Sequence, residues 1–259
     1  MSAVAGEDAL AIHLRALRLP SFQRHWQELA STAEKQGWSY GQYLLHLAEQ
    51  EQQERSSRRI ERVLKASALP TTKTLGSLDQ ALLPDKVRRV LPRLCSGGFV
   101  DRGENLLVFG LPGRGKTHVV CAVGHELVQS GRRVLFTSTN LLVQRLLAAK
   151  RDLLLERELK RLDGFDALIL DDIGYVQQDR AEMEVLFTLL AERYERKTVM
   201  ITSNLVFSQW DRIFKDPMTT AAAVDRLIHH SIILEMTNSS VREEQATART
   251  QRPATEAAP

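Results

Sequence analysis

Only two cysteines, Cys95 and Cys121, occur in the 259 residues, and neither belongs to a Cys-x-x-Cys pair or has a ligand set beside it. That excludes a disulfide framework and a thiolate metal centre. Both thiols are expected as small core residues of a chain kept reduced. No apolar run reaches the roughly 20 residues that a membrane span requires. Met1 to Glu7 offers neither a basic start nor an apolar signal core, so a cytoplasmic location and no membrane partner are expected. Charge of one sign is also not in excess. A net charge of +3 permits a nucleic-acid partner without demanding one. With 43% hydrophobic and 26% charged residues, wholesale disorder is excluded. No internal repeat is present, and the length suits one large domain with a small one, or a single generous domain.

The first 70 residues read as helices. Leu10, Leu14 and Leu17 recur at helical spacing before Pro20, and Ser21 opens a second helix carrying Phe22, Trp26 and Leu29 that stops near Gly37. Ser39-x-x-Gln42 is a capping box that starts a third helix running to about Ala66. Its middle, Glu49 to Arg55, has almost no apolar stripe, as in helices that bridge solvent or pair with another chain. Leu69-Pro70-Thr71-Thr72 is the expected boundary, because proline disfavours helix at the residue before it. This divides the chain into a helical partner- or DNA-interaction domain over 1–70, a second domain over 71–242, and a disordered tail over 243–259.

Past the boundary, apolar strands alternate with helices. Strands are expected at Leu106–Phe109, Val134–Thr137, Ala167–Leu170, Val199–Thr202 and Ile232–Met236, with helices at Val119–Gln129, Leu141–Ala149 and Glu182–Tyr194. Near-continuous apolar strands separated by helices imply an α/β fold, a parallel five-stranded sheet covered on both faces.

Chemistry enters at the end of the first strand. Gly110-Leu111-Pro112-Gly113-Arg114-Gly115-Lys116-Thr117 matches G-x-x-x-x-G-K-[ST] between a strand and a helix, followed by His118. Glycines let backbone N–H groups turn inward around phosphate oxygens at a helix N-terminus, where the dipole favours anions. Lys116 adds a point charge on the β- and γ-phosphates, and the Thr117 hydroxyl is placed to ligate Mg²⁺. ATP and Mg²⁺ are therefore the expected cofactors. Ala167 to Asp172 is an apolar strand ending in two carboxylates, the form of a Walker B segment. Asp171 is expected to hold Mg²⁺ through water, and Asp172 to orient or deprotonate the attacking water. Asp172 stands where many ATPases carry glutamate. Val199 to Asn204 is a strand ending in polar groups, which puts Asn204 within reach of the γ-phosphate or its water. Arg226, among apolar residues, suits either a finger to a neighbour's γ-phosphate or an ion pair with Asp225. His229 and His230 lack metal-ligand companions in the sequence and read as structural.

These residues resemble a known family. The stretches Leu69–Leu75, Gly110–His118, Asp171–Tyr175, Glu192–Arg196, Ile201–Trp210 and Val224–His230 are similar to those of IstB, the AAA+ transposition helper of insertion sequences. The resemblance to the helicase loader DnaC and the initiator DnaA is more distant. It spans roughly residues 10 to 242 and implies a P-loop AAA+ sheet with a small N-terminal all-α domain. It further implies an oligomerising ATPase that binds duplex DNA with little sequence preference and presents it to an IstA-like transposase. By matching position, Lys116 and Thr117 are Walker A, Asp171 and Asp172 Walker B, Asn204 sensor 1 and Arg226 the arginine finger. Arg242 aligns with a Ser-Tyr-Arg signature, and Gly110, Pro112, Gly113, Arg114, Gly115 and His118 complete the nucleotide cradle. Val241 in place of tyrosine and Asn238 in place of glycine are departures from that pattern.

DNA contacts are sought where basic residues cluster. Arg145, Lys150, Arg151, Arg157, Lys160 and Arg161 lie among four acids, Asp152, Glu156, Glu158 and Asp163. A second cluster joins Arg58, Arg59, Arg62 and Lys65. Two other functions use the same loop. A DnaC-like helicase loader would share the fold, and the match around Ser39–Leu45 and Leu69–Leu75 favours the transposition helper. A small-molecule kinase would bring a substrate pocket and an arginine-bearing lid, and that reading does not predict Asn204 at the end of an apolar strand or Arg226 far downstream.

Overall fold

A computed structural model describes residues 2–174, 179–205, 210 and 227–237, with side chains from residue 8 onward. The chain separates into two compact units, Met1–Arg62 and Val63–Pro259. The division falls several residues before the proline boundary that the sequence suggests, for a packing reason. Leu69 is buried, and a methyl group added at Gly124 would meet both Leu69 Cδ2 (3.1 Å) and Ile169 Cδ1 (2.9 Å). The segment entering the second unit is thus already part of its core.

The first unit contains α1 (Ser2–Ala16), α2 (Pro20–Gln36) and most of α3 (Tyr40–Ser67). Pro20 occupies the first turn of α2, where its missing N–H costs nothing, and Gly37 ends that helix in a left-handed cap at φ 65°. The Ser39 capping box forms: Gln42 N–H donates to Ser39 Oγ (3.2 Å) and Ser39 N–H to Gln42 Oε1 (2.8 Å). The polar middle of α3 is partly used within the unit. Glu51 is buried and accepts from the Ser21 amide (2.8 Å) and Arg55 Nε (2.6 Å). Glu54 accepts from Arg24 and lies 3.1 Å from His25 Nε2. A stretch that reads as a bridge or a meeting surface for another chain is in this respect an ionic seam against α2.

The second unit is the expected α/β layer. After α4 (Asp85–Cys95) and α5 (Gly98–Asp101), β1 (Asn105–Phe109) leads into α6 (Lys116–Gln129). Next come β2 (Val134–Ser138), α7 (Thr139–Arg151), α8 (Leu155–Asp163), β3 (Ala167–Ile173), α9 (Arg180–Arg193), β4 (Thr198–Ser203) and β5 (Ser231–Glu235). The five strands lie in the order β2-β3-β4-β1-β5, every neighbouring pair parallel. β1 and β4 are buried throughout, which is why their sequences run apolar without alternation. One face carries Leu107, Phe109, Leu168, Leu170, Val199 and Ile201 against Leu142, Leu146, Leu162, Leu186, Leu189 and Trp210. The opposite face carries α6, whose Gly124 lets Ile169 approach. All five expected strands and the three helices between them are present, with ends moved by a few residues. No helix among the described residues is long and apolar enough to cross a membrane.

Candidate nucleotide-binding site

In parallel sheets ligands bind beyond the carboxyl ends of the strands, and the residues singled out from the sequence gather at that edge. β1 lies between β4 and β5, and β4 lies between β1 and β3. The register sets Phe109 beside Ser203, and Ser203 beside Ile173. The loop leaving β1, the acids ending β3 and the polar end of β4 are therefore neighbours.

The loop itself has the backbone its glycines allow. Gly110, Gly113 and Gly115 all have positive φ, at 152°, 81° and 84°. At Gly110 a Cβ would sit 2.7 Å from the Met236 carbonyl oxygen, so no larger residue fits without moving β5's exit. Gly115 caps α6, and Lys116 is its first residue. Lys116 is only 6% exposed, and its Nζ donates to the Leu111 carbonyl at 3.1 Å. Its ammonium thus lies folded into the loop whose amides would hold the phosphates. Arg114 reaches the Met236 carbonyl (3.4 Å), and Pro112 is exposed on the rim. These groups fit a nucleotide triphosphate: a glycine loop with left-handed backbone, a helix N-terminus and a sequestered cation.

Two histidines of α6 hold the preceding segment. His118 Nε2 lies 3.2 Å from the Thr74 carbonyl oxygen and 3.1 Å from Ser77 Oγ, and His125 Nε2 lies 3.0 Å from the Pro70 carbonyl oxygen. Burial, aided by the charge of Lys73, lowers the His118 pKa despite the Thr74 contact. The imidazole therefore stays neutral at physiological pH.

Asp171 and Asp172 sit where β3 breaks register with β4, between Leu170 and Ile173. Asp172 takes a left-handed backbone, φ 57°, uncommon for a residue with a side chain. The device that holds this bulge was not evident from the sequence. Thr202, fully buried on β4, donates its hydroxyl to Asp171 Oδ1 (2.6 Å) and accepts the Asp172 amide (2.8 Å). Thr139 also donates to the Asp171 carbonyl (3.0 Å). A threonine at a strand end reads as an ordinary β-former. Its only sequence signal is a hydroxyl that follows the apolar run Val199 to Ile201 near the end of the strand. Asn204 follows Ser203, whose hydroxyl ties the strand end to the Ile173 carbonyl (3.0 Å). The half-exposed Asn204 is therefore at the same edge. Arg226, Arg242 and the tail over 243–259 lie outside the described residues.

The profile of the IstB-like ATP-binding proteins matches residues 12–249. The chain belongs to that family. An insertion sequence ATP-binding protein of Sinorhizobium fredii is 45% identical over 241 residues, covering 93% of this chain and 81% of that one. The insertion sequence IS21 ATP-binding protein of Pseudomonas aeruginosa is 37% identical over 233 residues, 90% of this chain and 88% of the other. Solved structures share the fold. AMPPCP-bound DnaA from Aquifex aeolicus matches with TM-score 0.54 at 18% identity, over 70% of this chain and 56% of that one. The DnaC helicase loader matches with TM-score 0.51 at 20% identity, over 58% of this chain and 88% of its own. An IstB-like chain with this edge is an ATP-binding AAA+ protein associated with insertion-sequence transposition.

Elsewhere in this IstB-like fold the structure adds qualifications. The α7–α8 basic residues are all exposed, but five of the six have acidic partners. Arg145 and Arg161 pair with Glu158 (3.0 and 2.8 Å), Lys150 with Glu184 (2.8 Å), Arg151 with Asp152 (3.2 Å) and Lys160 with Glu156 (2.7 Å). Arg157 is the sixth. Arg193, in the Glu192–Arg196 block, is a core residue. Its guanidinium donates to the carbonyls of Leu162 (3.1 Å), Phe165 (3.0 Å) and Thr198 (3.1 Å), and its pKa is pulled down to about 10 by burial. His229 and His230 do have a companion, contrary to the sequence reading: Glu195 stands beside them.

Proposed function

We propose that this protein is an ATP-hydrolysing clamp that assembles on duplex DNA with little sequence preference and delivers it to the partner transposase of its insertion sequence. The observation that carries this reading is the shared edge. There the Lys116 loop and the Thr202-braced acids Asp171 and Asp172 lie along the same edge, at the ends of β1, β3 and β4.

In this mechanism the loop amides and Lys116 hold the phosphates, with Gly110, Gly113 and Gly115 supplying the turns. Thr117 and Asp171 would hold Mg²⁺, which supplies charge neutralisation on the phosphate oxygens. Asp172 positions the attacking water and takes its proton, while Asn204 orients that water from β4. The site is completed by Arg226 of an adjoining copy, with Arg242 as a further nucleotide-sensing cation. ATP then favours the assembled state because that state binds it more tightly, and hydrolysis releases this bias. DNA contacts fall on the exposed α7–α8 surface through Arg145, Lys150, Arg151, Arg157, Lys160 and Arg161. Phosphates there would replace the acidic partners, so binding should weaken steeply with salt. Arg58, Arg59 and Arg62, which line a shallow groove with Arg55 and Glu61, are a second basic surface.

The deciding experiment is the mass of the full chain on random-sequence duplex DNA with ATP and then with ADP. A discrete oligomer on DNA only with ATP supports the clamp. A small species that ignores duplex DNA in both nucleotides overturns it and points to a helicase loader. Arg226→Ala should leave ATP binding intact and impair turnover and assembly; normal values for both would remove the finger assignment.

A further inference from the structure

The Glu192–Arg196 block and the residues that follow Arg226 in the Val224–His230 block take no part in the nucleotide site, and His229, His230 and Glu195 meet at the opposite edge of the sheet. Glu195 lies in the connection between α9 and β4. His229 ends a helical stretch, and His230 is the turn residue that leads from it into β5. One donor atom from each of the three side chains falls within 4.8 Å of the other two. His230 Nε2 is 2.9 Å and His229 Nδ1 3.9 Å from Glu195 Oε1, and the two imidazoles meet edge to face with centroids 4.5 Å apart.

We propose that Glu195, His229 and His230 form a binding site for a divalent transition-metal ion of the zinc class. Two imidazole nitrogens and one carboxylate oxygen are a donor set that such ions accept, with water completing four-coordination. Bonds of ~2.0–2.1 Å to nitrogen require donor atoms roughly 3.4 Å apart, so the observed spacing needs only small side-chain adjustments. The backbone beneath is fixed. The His230 carbonyl accepts the Asn105 amide at 2.7 Å, joining the turn to β1. Glu195 holds a left-handed conformation, φ 54°, and an added Cβ on Gly103 would lie 3.1 Å from its carbonyl group. Such a conformation is unfavourable for glutamate and persists only where its surroundings enforce it. The Glu195–His230 contact is then the metal-free form of the site, keeping carboxylate and imidazole within reach of one ion. Tyr194 Oη lies 3.2 Å from His229 Nδ1 and gives up that nitrogen when the ion arrives. A bound ion would staple the start of the edge strand β5 to the α9–β4 connection. Magnesium, which favours oxygen donors, should not compete.

The test is titration of metal-stripped, untagged full-length protein with Zn²⁺ in the absence of nucleotide. One ion per chain should bind with micromolar affinity, raise Tm, and persist in excess Mg²⁺. His230→Ala and Glu195→Gln should each weaken binding at least tenfold with unchanged far-ultraviolet circular dichroism. Glu195→Gln alters an exposed side chain, so it remains informative if His230→Ala fails to fold. Co²⁺ should give d–d absorption without a thiolate charge-transfer band, separating this site from Cys95 and Cys121. No saturable Zn²⁺ binding, or binding that both variants leave unchanged, would overturn the proposal.

Discussion

Replacing Thr202 by valine keeps the shape of a fully buried side chain and deletes a single hydroxyl. That hydroxyl serves both acids at the end of β3, donating to Asp171 Oδ1 at 2.6 Å and accepting the Asp172 amide at 2.8 Å. A hydrogen bond to a charged group contributes about 1.5–3 kcal/mol, and an amide left without an acceptor costs about 1–3 kcal/mol. The Asp172 backbone, at φ 57°, is itself held against a cost of about 1–2 kcal/mol. With its brace gone the bulge should relax and both carboxylates should lose their aim. If about 2 kcal/mol of this is expressed in the transition state, kcat falls roughly 30-fold, since 1.36 kcal/mol is tenfold. The Lys116 loop is built on β1 and α6, so affinity for a fluorescent ATP analogue should stay within about twofold. Thr202→Ser keeps the hydroxyl and should recover most of the turnover. Steady-state ATPase assays, run beside nucleotide binding and thermal melts, separate these effects. Turnover in Thr202→Val within twofold of wild type, with Tm unchanged, would refute the idea that Thr202 positions the acids.

Other outcomes follow from the same geometry. Arg193→Ala should lower stability by about 3 kcal/mol or more, because it opens a void and strands several buried carbonyls; urea denaturation measures this, and a loss below about 1 kcal/mol would contradict it. Burial alone would raise the Glu51 pKa, but hydrogen bonds from Arg55 and Ser21 and the charge of Arg55 bring it below the usual value of 4.5. Its stabilisation of the first unit is therefore present above that value and lost as pH falls through the lower folded one. Glu51→Gln should flatten this acid limb in melts recorded from pH 6 to about pH 3. Burial pushes Cys95 up to about 11 and Cys121 up to about 12. Both thiols should react with a disulfide reagent at neutral pH far more slowly in the folded protein than in denaturant. Equal rates would show that they are exposed.

Much of this architecture could be read from the chain because its signals are local. The strand–glycine loop–lysine succession needs neighbours only a few residues apart, and Ala167 to Asp172 declares both burial and chemistry in one run. The five strands followed for the same reason. What escaped depends on strand order and on pairs distant in sequence. Nothing around Thr202 says that β3 lies beside β4, so its grip on Asp171 is invisible until the sheet is assembled. Glu195 and His230 meet only because β5 pairs with β1. The ion pairs of α7 and α8 escaped in part for a similar reason: Glu184, which holds Lys150, is on α9. The polar middle of α3 misled because amphipathicity measures apolar faces and does not register a buried glutamate.

Arg193 has a mechanical consequence. One planar cation binds carbonyls from the end of α8, the approach to β3 and the start of β4, joining these segments at the amino edge of the sheet. At the carboxyl edge β3 ends in a bulge and β4 in a hydroxyl bridge, beside the glycine loop that leaves β1. The sheet is pinned at one end by a buried cation and at the other by the hydroxyls of Thr202 and Ser203. A force applied by a nucleotide at the carboxyl edge would then be borne by strands whose far end is held by a cation that cannot shed its partners without stranding buried carbonyls.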